Sequence, residues 1–167
     1  MKSLDRIANV AIIVAVAVFL MIVVRNEIDR HHAASGHSQQ DFVGKTISLP
    51  GVRFTPGHNA LVVAISTACH FCKDSLPFYK DLAARANGHV ALIAVLPQPQ
   101  SDAAEFLDKA GVATTQTVTA SLDSIGVSGT PTVLLVDGSG KVTAAWVGKL
   151  DEKGQQSLIH TALPNAG

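Results

Sequence analysis

The chain has 167 residues, enough for one domain with a proper hydrophobic core. A net charge of zero and a 47% hydrophobic composition leave no basic face for nucleic acid. Two cysteines are too few for an all-thiolate zinc site or a disulfide-stapled scaffold, so one pair at redox spacing remains.

Residues 1–6 form a short flank carrying Lys2 and Arg6. From Ile7 to Val24 every residue is apolar except Asn9. At a rise of ~1.5 Å per residue this run spans ~27 Å, close to the ~30 Å of a bilayer's hydrocarbon core. We therefore expect residues 7–24 to form a single membrane helix. The alternative, a cleaved signal peptide, usually has a core of ~7–15 residues followed closely by a small-x-small site. Here the polar run Arg25 to Arg30 follows instead, and Ala33-Ala34-Ser35 comes late. Lys2 and Arg6 nearly balance Arg25 and Arg30, and the terminal amine tips the N-terminus towards the cytoplasm. The expectation is a single-pass protein of the cell membrane with its redox domain on the extracytoplasmic, periplasmic side. Residues 25–40 read as a polar linker. Its His31, His32 and His37 read as solvated, because no carboxylate or thiol completes a metal set around them.

The folded domain is expected over residues 41–167. Phe42 to Phe54 alternates loosely, with a turn at Pro50-Gly51, and predicts an N-terminal hairpin or edge strand. After the Pro56-Gly57-His58-Asn59 turn, Ala60 to Ile65 reads as a buried strand. Phe71, Leu76, Tyr79 and Leu82-Ala83 then recur at helical spacing up to a stop at Asn87-Gly88. His89 to Leu96 predicts a second buried strand, ended by Pro97 and Pro99. Ser101 can cap a helix running to Lys109-Ala110 before Gly111. Thr114 to Thr119 reads as a short strand, and Ala120 to Ile125 as a helical turn ending at Gly126. Thr132 to Val136 and Lys141 to Val147 form a hairpin across Asp137-Gly138-Ser139-Gly140. Asp151 caps a last helix to Leu163. This order predicts an α/β domain with a central mixed sheet and helices on both faces.

Cys69 and Cys72 fall where the first strand turns into the helix. A thiol at a helix N-terminus faces unpaired backbone N–H groups and the positive end of the helix dipole, which favour its thiolate. A second cysteine one turn on lies close enough to close a disulfide, so the pair reads as a dithiol redox site.

Cys69-His70-Phe71-Cys72, then Pro77, then Gly129-Thr130-Pro131-Thr132 together resemble the thioredoxin superfamily. The anchored chain and the Val136 to Lys141 hairpin resemble its TlpA/ResA-like redoxin group. The run Cys-x-x-Cys-Lys-x-x-Leu-Pro is more weakly similar to thioredoxin-like accessory proteins of methylamine utilisation. The likeness covers about Phe42 to Leu163, and it implies a thioredoxin-like three-layer fold preceded by one transmembrane helix. It implies a membrane-anchored thiol:disulfide oxidoreductase working through a Cys69–Cys72 disulfide, with no cofactor and no metal. Its partners would be protein thiol or disulfide substrates and an upstream redox partner.

By that resemblance Cys69 is the exposed nucleophile, and Cys72 is the resolving thiol that releases the partner from the mixed disulfide. His70 either stabilises the Cys69 thiolate or is a solvent-facing spacer. Phe71 reads as a packing or partner-contact residue. Pro77 would kink the redox helix. Thr130 and Pro131 resemble the loop opposite the disulfide, where a cis proline leaves neighbouring backbone free to pair with an extended substrate.

The sequence departs from the pattern in three places. Ala68 stands where an aromatic residue often precedes the first cysteine, and Leu61 to Ile65 lacks the buried acid of thioredoxins. Asp74 is one position off the glutamate expected in the ResA-like group. The proton acceptor for Cys72 is therefore unassigned, with water or Lys73 as candidates. Two other readings stay open. Ser66-Thr67-Ala68-Cys69 fits the [ST]-x-x-C of a peroxiredoxin-like peroxidase, although Val62 replaces the upstream proline. A copper-delivery module could use Cys69, Cys72 and a histidine as soft Cu(I) ligands.

Overall fold

The computed structural model describes residues 39–86 and 88–163. The expected anchor at 7–24 and nearly all of the linker lie outside these residues. Among the described residues no helix is long and apolar enough to cross a membrane.

Strand β1, Ala60–Ala64, is buried at every position, which its run of apolar residues allows because both faces of the sheet are covered. Helix α1, His70–Ala86, buries Cys72, Ser75, Tyr79, Leu82, Ala83 and Ala86, a single stripe at helical spacing. It runs on through Pro77, whose side chain lies on the exposed surface. Strand β2, Ala91–Leu96, pairs parallel with β1. Helix α2, Gln100–Ala110, leads to β3, Gln116–Thr119, which is parallel to β2. Strand β4, Thr132–Val136, returns antiparallel beside β1, and β5, Val142–Val147, closes the sheet antiparallel to β4. Helix α3, Glu152–Ala162, ends the domain. Its first turn is capped by the Asp151 carboxylate, which accepts from the Gly154 N–H at 2.8 Å. The strand order is β3-β2-β1-β4-β5, the expected mixed sheet.

The two faces are unlike. On one, Leu61, Val63 and Ile65 pack with Tyr79 and Leu82 of α1, Leu107 of α2 and Leu158 of α3. On the other, Val62, Ile93, Val95, Leu134 and Val136 are covered by Phe42, Ile47, Leu49, Ile125 and Val127. The expectation of helices on both faces is corrected accordingly. All three α-helices pack on one face, and the second helical layer shrinks to a single 3-10 turn, Leu122–Ile125. Connectivity explains this: the steps β1-α1-β2 and β2-α2-β3 move outward in the same direction. Right-handed crossovers then place both helices on the same side. The return from β3 to β4 crosses the other side, and Gly126 in the left-handed region (φ 71°) ends its helical turn.

The expected N-terminal hairpin or edge strand is also corrected. Residues 42–54 form an irregular strap that joins the sheet's ladder, among the described residues, only at one isolated bridge, Thr46 to Lys141. Its main chain pairs with the start of β5: Gly44 N–H donates to Val142 O, Val142 N–H to Lys45 O, and Ile47 N–H to Gly140 O. Gly44 and Gly51 take positive φ (91° and 70°), which interrupts any longer ladder. Ser101 is not the cap of α2. Pro99 holds that position and Ser101 lies inside the first turn, donating to Asp102. A proline is well suited there because its missing N–H costs the helix nothing.

Candidate active site

Strand β1 ends in the loop Ser66 to Ala68, and Cys69 then stands immediately before α1, with its carbonyl accepting the first helical bond from Lys73 N–H. That is an N-cap position. Its sulfur takes the capping role as well: Cys72 N–H donates to Cys69 Sγ at 3.1 Å. Cys69 and Cys72 are joined as a disulfide with Cα atoms 5.2 Å apart. The two sulfurs differ in surroundings. Cys69 is half-buried, while Cys72 is wholly buried at the edge of the core on the helical face of the sheet.

The Thr130–Pro131 peptide bond is cis, and its loop lies against the cysteines. The Thr130 carbonyl oxygen is 3.4 Å from Cys69 Sγ, close enough to accept from the thiol once the pair is reduced. The loop is held on its far side by Gly148 N–H, which donates to Pro131 O at 2.7 Å. Thr132 Oγ1 donates to Gly129 O at 2.8 Å.

His70 extends into solvent with its side chain 81% exposed, and its Nε2 lies 3.7 Å from Asp74 Oδ2. The same carboxylate oxygen accepts from Lys149 Nζ at 2.8 Å. The Lys149 hydrogen bond chiefly, with the nearby His70 and the lysine charge, holds the Asp74 carboxyl below its ordinary range. Lys149, which sequence reasoning did not single out, thus ties the segment after β5 to the start of α1. Phe71 is 57% exposed, an unusual setting for a large aromatic residue, and its ring lies beside that of His70.

Behind Cys72 the stripe continues through Ser75 and Tyr79. Ser75 Oγ donates to Phe71 O at 2.8 Å. Burial pushes the Tyr79 hydroxyl far above its ordinary range, with a hydrogen bond to Ser75 opposing the shift. It is a neutral packing residue. Lys73, a candidate proton acceptor for Cys72, is exposed, while Cys72 is sealed. Among the described residues no three His, Cys, Asp or Glu side chains gather as a metal set.

Gln98 also reaches this region and was passed over in the sequence as part of a strand-ending Pro-Gln-Pro. Its side chain bonds to Ser66 and to the Thr67 N–H, in the loop just ahead of Cys69. The signal was topological. β1 and β2 are parallel neighbours, so the loops leaving their C-terminal ends must lie side by side.

A family model described as a thioredoxin-like domain matches residues 55–162. None of the curated proteins compared matches the chain. Several solved structures share the fold. A candidate thiol:disulfide interchange protein DsbE from Chlorobium tepidum is 21% identical, with 75% of this chain and 99% of that one covered and a TM-score of 0.58. A thiol-disulfide isomerase from Corynebacterium glutamicum is 16% identical, covering 72% of this chain and 92% of that one, with a TM-score of 0.55. StoA from Bacillus subtilis is 21% identical, covering 69% and 93%, with a TM-score of 0.51.

Proposed function

The chain belongs to the thioredoxin-like domain family, and from that premise we propose that it is a thiol:disulfide oxidoreductase acting on protein substrates through Cys69 and Cys72. The observation that carries this reading is the unequal setting of the two sulfurs. Cys69 caps a helix, half-buried, with a backbone N–H aimed at its sulfur, whereas Cys72 is wholly buried.

In the reducing direction, the Cys69 thiolate attacks one sulfur of a substrate disulfide. A mixed disulfide forms, and one substrate thiolate leaves. Cys72, deprotonated, then attacks Cys69 Sγ, closing the Cys69–Cys72 disulfide and releasing the second substrate thiolate. Two electrons have passed to the substrate, and the dithiol of an upstream redox partner returns them by the same exchange. Run backwards, the steps oxidise a substrate dithiol. The cis Thr130–Pro131 loop beside Cys69 offers main chain for an extended substrate segment to pair with. The exposed Phe71 offers an apolar contact next to the reacting sulfur.

Trapping tests this reading. Cys72→Ser should accumulate mixed disulfides through Cys69, and Cys69→Ser should trap almost none. Equal trapping by both would show that the attacking thiol is misassigned. The peroxidase and copper readings each lack an observation of their own.

The reading extends to location. Residues 7–24 hold the protein in the cell membrane, with the redox domain on the extracytoplasmic side. Support comes from the length of the apolar run and its charged flank. The full chain should then stay with membranes through a carbonate wash, and recovery of a mature form cut near Ala34 would overturn the anchor.

A further inference from the structure

Between Ile65 and α1 the chain has no regular structure, yet it must hold Cys69 Sγ in line with the Cys72 N–H. Three successive main-chain amides of this loop, those of Thr67, Ala68 and Cys69, are occupied. Cys69 N–H donates to Ser66 O at 3.1 Å, and Ala68 N–H donates to Ser66 Oγ at 3.3 Å. Thr67 N–H donates to Gln98 Oε1 at 3.3 Å. The other end of the Gln98 amide donates to Ser66 Oγ at 2.9 Å. A backbone N–H can only donate, so the atom facing Thr67 must be the amide oxygen, and the nitrogen is left to face the hydroxyl.

One side chain therefore grips two consecutive residues of the loop. It arrives from another element, on the far side of α1 in sequence. Gln98 is itself fixed. It stands between Pro97 and Pro99, whose φ angles are locked, and Thr119 Oγ1 of β3 donates to its carbonyl at 3.1 Å. The bonds to Ser66 and Thr67 are partly buried, where a lost partner is not simply replaced by water.

We propose that Gln98 is a positioning residue for the exchange reaction, holding the Ser66–Thr67 turn so that Cys69 Sγ stays seated at the start of α1. The proposal rests on Cys69 being the reacting thiol. Gln98 does not touch the substrate sulfur; it acts through the loop. Its loss should let the N-cap sulfur drift from the Cys72 amide, raising the energy of the thiolate relative to the thiol.

The test uses the full chain in a Cys72→Ser background, so that Cys69 is the only thiol. Two readouts are taken: the pH profile of Cys69 alkylation by iodoacetamide, and the rate of its reaction with a small aromatic disulfide at neutral pH. Gln98→Ala should move the alkylation midpoint to higher pH and slow the neutral-pH reaction by about three- to tenfold, the rate equivalent of one ordinary hydrogen bond. Gln98→Met keeps the length and apolar bulk of the side chain but neither bond, and should behave like Gln98→Ala. Ser66→Ala should have a similar effect, and the Ser66→Ala/Gln98→Ala pair should be little worse than either alone, as expected of one network. A wild-type profile in Gln98→Met would overturn the proposal, because packing rather than bonding would then suffice. So would strictly additive effects of the Ser66 and Gln98 substitutions. If the alkylation profile shifts as expected while the wild-type protein fails to exchange disulfides with any protein, the positioning role stands and the proposed function falls.

Discussion

At the residue scale, Cys69 Sγ faces one donor, the Cys72 amide, and one acceptor, the Thr130 carbonyl oxygen, while Cys72 is sealed in the core. The Cys72 amide faces the Cys69 sulfur, His70 stands beside it, and β1 carries no acid. The amide favours the Cys69 thiolate, and His70 would add to it if its imidazole acts on the sulfur rather than standing as a solvent-facing spacer. A stabilised thiolate stabilises the reduced pair. The couple should therefore be more oxidising than thioredoxin's, which is about −270 mV. Asp74 modifies that expectation, since its carboxylate lies next to His70 and is held ionised by Lys149. His70→Ala should lower the potential by ~10–30 mV, on the scale where ~30 mV is ~1.4 kcal/mol for two electrons. Asp74→Asn should raise it, because a negative charge leaves the neighbourhood of a thiolate. Equilibration against a glutathione buffer reads all three values. A potential at or below thioredoxin's that neither substitution moves would remove both residues from the control of the pair.

At the scale of elements, the turn between β4 and β5 shows how much one carboxylate can organise. Asp137 Oδ1 accepts from the Ser139 hydroxyl and amide and from the Lys141 amide. These bonds, that of the Ser139 side chain first, hold its pKa below the ordinary aspartate range. A carboxyl whose pKa is depressed by folding contributes stability that is present above its unfolded pKa and lost as pH falls through the folded one. Asp137→Asn should thus lower the urea midpoint at neutral pH and converge with wild type in strong acid. Parallel curves at all pH values would show that the turn does not depend on the charge. Gly138 in the same turn is required by space: an added Cβ would lie 2.2 Å from the Thr55 carbonyl oxygen.

Elements with a short-range signal were legible in the sequence. The strand-to-helix switch at Cys69, the stop at Gly126 and the Asp151 cap each depend on a few adjacent residues. Those that depend on distant partners were not. Phe42, Ile47 and Leu49 have the spacing of an irregular edge strand, and only the sheet they cover shows that they form a strap. The same holds for Gln98, whose role comes from a loop more than thirty positions away. The single layer of α-helices follows from the direction of the crossovers, which element order alone left undetermined.

At the scale of the molecule, the family match begins at residue 55, but the folded unit does not. Phe42, Ile47 and Leu49 are buried against Val62, Ile93 and Leu134, and removing them uncovers that face. Each such side chain stabilises the fold by roughly 1.5–3 kcal/mol when fully buried. A version of the protein starting at Thr55 should self-associate or unfold, whereas one starting at Ser38 should be a soluble folded monomer; sedimentation distinguishes them. Equal behaviour would mean that the strap contributes nothing to the core. The sulfur inventory is also a property of the whole chain. Met1 and Met21 precede the described domain, so Cys69 and Cys72 are the only sulfur atoms from residue 39 onward. Of those two, Cys72 is sealed from solvent. Peroxide meeting the reduced protein therefore reaches Cys69 first, giving a sulfenic acid there and releasing hydroxide. The Cys72 thiol should then condense with that acid, expelling water and restoring the disulfide ahead of a second oxidation. Mass spectrometry after peroxide treatment should find wild type returned to the disulfide and Cys72→Ser carried on to sulfinic and sulfonic acids. With that outcome the buried partner is also a guard, converting what would be irreversible damage into the oxidised form from which the cycle can start again.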